Sequence, residues 1–179
     1  MATLPTTHTV AVGDFVTASD ENTYVRDPQS FWLNRPRVHA YAAAAQTLTT
    51  GTVTLVPFDT EAYDSDGMHS TSSNTSRLVV NTGGLYWCSF GVTFATNATS
   101  WRYLNIRKNA AGAPAGGTSV YQGFVPGLAV SNNNITASFD LVLAAGDYLE
   151  VFASQNSGAN LNTVGGLTAT FGQLRWVAA

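Results

Sequence analysis

The chain has 179 residues, enough for one sizeable core or for one domain with an arm, and too few for two ordinary domains. Only 11% of the residues are charged and the net charge is −3, so there is no basic field to gather phosphate backbones, and nucleic acid is not an expected partner. Twenty-three threonines, 14 serines, 13 asparagines and 16 glycines carry most of the polarity on short neutral groups that favour strands and turns, which points to an all-β protein.

The opening, MATLPTTHTVAVGDF, lacks a cationic start and an unbroken apolar segment, and reads as no signal peptide. No run elsewhere approaches the length of a membrane span, so a membrane is not an expected partner. Residues 1–36 hold four acidic and two basic residues, and TASDENTYVRD is the best helix candidate in the chain. Thr17 with Asp20 three residues later fits a capping box, and Pro28 is expected to end the helix. A helix of about ten residues is marginal alone in water and needs a surface to lie on. We therefore divide the chain into an attachment arm, 1–36, and a domain, 37–179. The arm is expected to add little to the domain's stability, and Phe15, Val16, Tyr24, Val25, Phe31 and Trp32 are the side chains expected to bury against a partner. The alternative is an arm that packs back on its own domain.

From Arg37 onward the period is two. In GLYWCSFGVTFA, Tyr86, Cys88, Phe90, Val92 and Phe94 fall on one face, as a core strand requires. NITASFDLVLAAGD repeats the pattern with Ile135, Ala137, Phe139, Leu141 and Leu143, closes on a turn at Ala145-Gly146-Asp147, and is followed at once by DYLEVFAS. These two are expected to form an antiparallel pair. Further strands are predicted at RVHAYAAA, TVTLVPF, SRLVV, WRYLNIRK, TSVYQGFV and LTATFGQLRWV, giving eight or more short strands at sandwich spacing. Propensity alone favours a helical turn for Ala42 to Ala45, but the neighbouring Val38, Ala40 and Thr-rich sequel favour strand. Residues 109–139 and 151–174 carry no charge at all, a surface that suits self-association.

Few residues qualify for chemistry. Cys88 has no partner cysteine and sits in an apolar run, where a buried inert thiol is expected. The Asn-x-Ser/Thr matches at Asn74, Asn97 and Asn134 carry little weight in a chain read as lacking a secretion signal. EAYDSDGMHS gathers Glu61, Asp64, Asp66 and His69, and Asp64-Ser65-Asp66-Gly67 has the start of a calcium-loop spacing. The bidentate glutamate such a loop needs is missing, because the chain reads Thr75-Ser76-Arg77 there. No serine or cysteine elbow accompanies His69, and His8 and His39 have no ligand spacing around them. The stretch reads as a strand-linking loop in which replacing Asp64 and Asp66 by asparagine costs little. No metal, cofactor or enzymatic activity is expected.

The order of motifs carries a resemblance. PFDTEAYDSDGMHS, SRLVVNTGGLYWCSFGVTF, WRYLNIRKN, LVLAAGDYLEVF and TATFGQLRWV resemble the globular-head domain of complement and its relatives in the tumour necrosis factor superfamily, with Gly84-Leu85-Tyr86, Leu143 to Asp147 and Phe171-Gly172 at the matching places. The resemblance covers about residues 37–179 and implies an antiparallel jelly-roll β-sandwich that forms a homotrimer. TEAYDSDGMHSTSSNTSRL, FATNATSWRYLNIRKN and the arm VGDFVTASDENTYVRDPQSFWLNRP resemble a bacteriophage virion branch of the fold, which implies a particle component made in the bacterial host cytoplasm. The complement stalk is absent, and no segment resembles a cytokine receptor-binding loop, so neither function carries over. With one module, an arm and no fibre repeat, the expectation is a trimeric capsid decoration (cement) protein whose partners are its own copies and the major capsid protein or another virion protein. The alternative is a carbohydrate- or receptor-binding module of a phage tail or bacterial surface assembly, with Trp87, Trp101, Tyr103 and Tyr121 as the glycan-contact candidates because sugars stack on rings.

Overall fold

The computed structural model describes residues 4–6 and 8–179. Its first regular element is helical. Thr17 caps α1 (Ala18–Glu21): its Oγ1 accepts from the Asp20 N–H at 3.2 Å while the Asp20 carboxylate accepts from the Thr17 N–H at 2.8 Å, the expected capping box. The hydrogen bonds from the Thr17 hydroxyl and N–H hold the Asp20 carboxyl below its ordinary value. Pro28 does not end the helix. A π turn over Asn22–Arg26 leads into α2 (Asp27–Leu33), in which Pro28 occupies the first turn. The Asp27 N–H reaches back five residues to the Asn22 carbonyl. Proline fits a helix's first turn, where no N–H is required of it, and the widened turn ahead of it makes room for the ring. The helix ends at Asn34, whose N–H bonds to the carbonyls of Ser30 and Phe31.

Twelve strands follow among the described residues: β1 (Arg37–Tyr41), β2 (Thr47–Leu48), β3 (Thr54–Leu55), β4 (Thr60–Asp64), β5 (Arg77–Val79), β6 (Gly84–Phe94), β7 (Asn97–Lys108), β8 (Thr118–Leu128), β9 (Asn133–Leu143), β10 (Tyr148–Gln155), β11 (Leu161–Asn162) and β12 (Phe171–Ala178). One sheet runs β4-β1-β12-β6-β9 and the other β3-β10-β7-β8, with β5 also on β10 and a two-stranded β11-β2 ribbon beside them; every pairing is antiparallel. This is an all-β jelly-roll sandwich with a short helical arm.

The two sheets close on the face that the two-residue period marks. Tyr86, Cys88, Phe90, Val92 and Phe94 of β6 are all buried, and Leu104, Ile106, Leu149 and Val151 meet them from the second sheet. At about 25 cal/mol per Å² of apolar area removed from water, this shared face is the main source of stability. Burial pushes the Cys88 thiol up to about 12, with the charge of Asp140 adding to it, so the thiol is inert at neutral pH.

Three strand expectations are corrected. β9 and β10 do not pair: β9 lies on β6, and β10 on β7, β5 and β3. The turn between them, with the Asp147 carboxylate accepting from the Ala144 N–H at 2.9 Å, carries the chain from one sheet to the other. Ala42 to Ala45 form neither strand nor helix; β1 ends at Tyr41, and the Ala43 N–H bonds to the Asp59 carboxylate instead of a ladder. Residues 61–64, read as the start of a loop, belong to the edge strand β4.

The arm is also more tied to the domain than its composition implies. Phe31 is 6% exposed and belongs to the core cluster, its ring edge-on to Trp176 of β12 at 4.9 Å. The Trp176 N–H in turn donates to the Pro36 carbonyl at 2.9 Å. Phe31 is therefore buried against its own chain and not held for a partner, because α2 runs directly into β1 and brings it over the end of β12.

Candidate functional site

The acidic stretch is folded inward. Asp64 accepts from the Asp66 N–H at 3.1 Å and the His69 N–H at 2.9 Å, Asp66 is buried and accepts from the Thr82 hydroxyl at 3.1 Å, and Met68 is fully buried. The His69 ring bridges two strands' worth of chain, Nδ1 lying 2.8 Å from Glu61 Oε1 and Nε2 3.0 Å from the Thr75 carbonyl. The loop is thus a packed clasp over the sandwich edge. Among the described residues no three His, Cys, Asp or Glu side chains are placed to share an ion. The geometry also raises the expected cost of disturbing it. Asp64→Ala leaves two N–H groups without their acceptor, and a loss of about 1–3 kcal/mol is expected, read as a lower melting temperature, with no added stabilisation by calcium in the wild type.

The other exposed features are surfaces. The first is the face of the β4-β1-β12-β6-β9 sheet that the second sheet does not cover. Cross-strand register places His39 beside Tyr63, Gln173 and Ser89, and Tyr41 beside Phe171 and Gly91. The rings of Tyr63 and Phe171 stand edge-on to His39 at 5.8 and 5.6 Å. Burial lowers the His39 pKa, partly offset by its hydrogen bond to the Leu167 carbonyl, so this imidazole is uncharged at neutral pH.

The second surface lies on the outside of the other sheet. Tyr103 pairs with Phe124 and Trp101 with Pro126 across β7 and β8, and Phe124, 60% exposed, tilts onto Tyr103 at 4.5 Å and meets the edge of Trp101 at 5.4 Å. The Asn105 amide donates to the Tyr103 hydroxyl at 2.6 Å, fixing that oxygen beside the rings. Of the four glycan-contact candidates only Trp101 and Tyr103 come together. Trp87 lies on the uncovered face of the first sheet under the Arg175 guanidinium at 5.1 Å, and Tyr121 turns toward the core and stacks on Phe139 at 6.3 Å. Phe124 completes the corner and escaped the sequence reading, because the period of β8 marks alternation without saying which side is outside.

The third surface is the arm. Phe15, Val16, Val25 and Trp32 are 93%, 57%, 44% and 54% exposed, whereas Tyr24 is half-buried and stacked on His8 at 4.0 Å. Val12 and Leu33, absent from the expected set, are also strongly exposed.

No family model matches the chain, and no curated protein matches it. Solved structures do. Eiger TNF from S. frugiperda superposes with a TM-score of 0.58 at 15% identity over 81% of this chain and 96% of that one. Murine APRIL at pH 5.0 gives a TM-score of 0.60 at 15% identity, covering 78% and 98%. The globular domain of zebrafish complement 1qA protein gives 0.55 at 11% identity, covering 81% and 100%. The fold is the jelly roll of these domains. At such identities the likeness extends to the path of the chain and not to what the surface binds.

Proposed function

We propose that the protein is a structural component of a bacteriophage particle, a homotrimeric capsid decoration protein that is held to the major capsid protein or another virion protein by its N-terminal arm. The observation that carries this reading is the arm itself. From Val10 to Leu33 it holds out Phe15, Val16, Val25, Trp32 and Leu33, apolar side chains that its own domain leaves in water. An arm with that much exposed apolar surface, part extended and part helical, fits a groove on a partner. The arm's resemblance to the opening of phage virion proteins supports the choice of partner. The aromatic side chains on the uncovered face of the first sheet, Tyr41, Tyr63 and Phe171, support self-association, since rings can meet their own copies without repulsion. Light scattering at micromolar concentration gives a trimer on this reading and a stable monomer against it. An image of the particle gives the protein in symmetric copies on the head, and its absence there overturns the placement.

A second reading is favoured by the corner of Trp101, Tyr103 and Phe124: a carbohydrate-binding module, with sugar rings stacked on the aromatics and a sugar hydroxyl on the Tyr103 oxygen that the buried Asn105 holds in place. A glycan array separates the two. Binding that Phe124→Ala reduces at least about tenfold supports the second reading, by the size of a lost aromatic contact. An array with no signal leaves the structural role.

A further inference from the structure

Arg77 of β5 stands opposite Glu150 of β10 in the antiparallel register, and its Nε donates to Glu150 Oε1 at 3.0 Å. Glu150 is 1% exposed and fully engaged: Oε1 also accepts from the Ser76 hydroxyl at 3.4 Å, and Oε2 accepts from the Gly112 N–H at 2.9 Å. The guanidinium carbon sits 4.4 Å over the Tyr148 ring, so the group is fixed on one edge and on one face. Its two terminal nitrogens make no hydrogen bond among the described residues, although the side chain is only 25% exposed. Those nitrogens carry most of the N–H donors of a guanidinium. Arg77 lines two cavities. The larger, about 490 Å³, also has the Glu150 carboxylate in its wall. The smaller, about 350 Å³, has His69, Ser70, Ser73, Asn74 and Tyr148 around Arg77, and neither aspartate nor glutamate lines it. The acids of the clasp are already engaged, Glu61 with the His69 ring and Asp64 with the His69 N–H.

We propose that the smaller cavity binds a small hydroxylated carboxylate, of about the size of one sugar acid. The paired terminal nitrogens of Arg77 match the two oxygens of a carboxylate, a fork that a lysine does not offer. Ser70, Ser73 and Asn74 put hydroxyl and amide groups around the same space, as partners for the hydroxyls of such a molecule. The volume lies near the lower end of the range for small-molecule sites, roughly 300–1,000 Å³, and suits a single ring. Because Glu150 already balances the charge of Arg77, the ligand is recognised by directed hydrogen bonds more than by net attraction. A guanidinium held by Glu150 and Tyr148 loses little freedom when it takes up the ligand. The site shares no residue with the exposed side chains of the arm or with the Trp101, Tyr103 and Phe124 corner, so it stands apart from both readings above.

The test titrates the full chain with D-glucuronate and, as a neutral control with the same ring, D-glucose, following backbone amide resonances by NMR. Glucuronate is expected to shift the amides of Ser70, Ser73 and Arg77 in a saturable way, with glucose at least about tenfold weaker, the size of one lost charge-assisted contact. Two variants locate the binding. Arg77→Lys keeps a cation for Glu150 but lacks the fork, and Ser73→Glu brings a carboxylate into the cavity from an exposed position. Both are expected to melt within a few degrees of the wild type and to bind glucuronate at least about tenfold more weakly. If Arg77→Lys melts far lower, Ser73→Glu alone decides. The absence of saturable shifts with glucuronate, an equal response to glucose, or a variant that melts with the wild type and binds as tightly overturns the site.

Discussion

A full-length chain carrying Phe15→Ser, Val16→Ser and Val25→Ser is expected to fold as the wild type does and to lose its hold on particles stripped of the protein. The three side chains are 93%, 57% and 44% exposed, so the domain gains little from them and the melting temperature is expected to stay within a few degrees, in line with a surface-substitution cost of about 0.5 kcal/mol each. At a partner's surface the same side chains would be anchors. Burying a valine or phenylalanine is worth about 1.5–3 kcal/mol, so losing three weakens attachment by several kcal/mol, a drop in affinity of at least about a thousandfold. The measurement is occupancy of stripped particles after incubation with each protein. Equal occupancy by variant and wild type would move the attachment site onto the jelly roll. Point changes are preferable to cutting the chain at Arg37, because the cut also removes Phe31 and strips Trp176 of its cover.

Phe31→Ala is expected to destabilise the domain itself. Phe31 is 6% exposed, packs its ring on Trp176 at 4.9 Å, and sits beside Trp32, whose own ring lies 5.8 Å from Trp176. Removing a buried phenylalanine ring costs about 3–5 kcal/mol, and about 3 is expected here because the arm can lift away and limit the cavity left behind. For a domain of this size that is a drop in melting temperature of about 6–12 °C by calorimetry. Trp32→Ala, with a side chain more than half in water, is expected to cost less than half as much. If Phe31→Ala melts with the wild type, residues 1–36 are independent of the domain, as their composition alone implies. A loss of the expected size ties the last turn of the arm to the core through Phe31.

Much of this was legible in the chain itself, for reasons that are local. The capping box of Thr17 and Asp20 depends on residues three apart, and the alternation of β6 follows from a backbone that turns each side chain to the opposite face. An all-β fold, the faces of β6 and β9, and the inert Cys88 could therefore be read without knowing where any strand lay. What needed the tertiary structure was every question of which strand lies beside which. The turn at residues 144–147 has the same residues whether it closes a hairpin or crosses between sheets, and only the pairing of β9 with β6 decides for the crossing. Ala42 to Ala45 favour helix by propensity and strand by context, yet form neither, since the Asp59 carboxylate 16 residues on takes the Ala43 N–H. Asp64 and His69 look like a solvated turn until β4 brings Glu61 to one ring nitrogen and the loop brings the Thr75 carbonyl to the other. Phe31 looks like part of a free arm until β12 arrives beneath it. Arg77 and Glu150 stand 73 residues apart; each charge is visible in the sequence, but the two meet only once antiparallel register has set β5 beside β10.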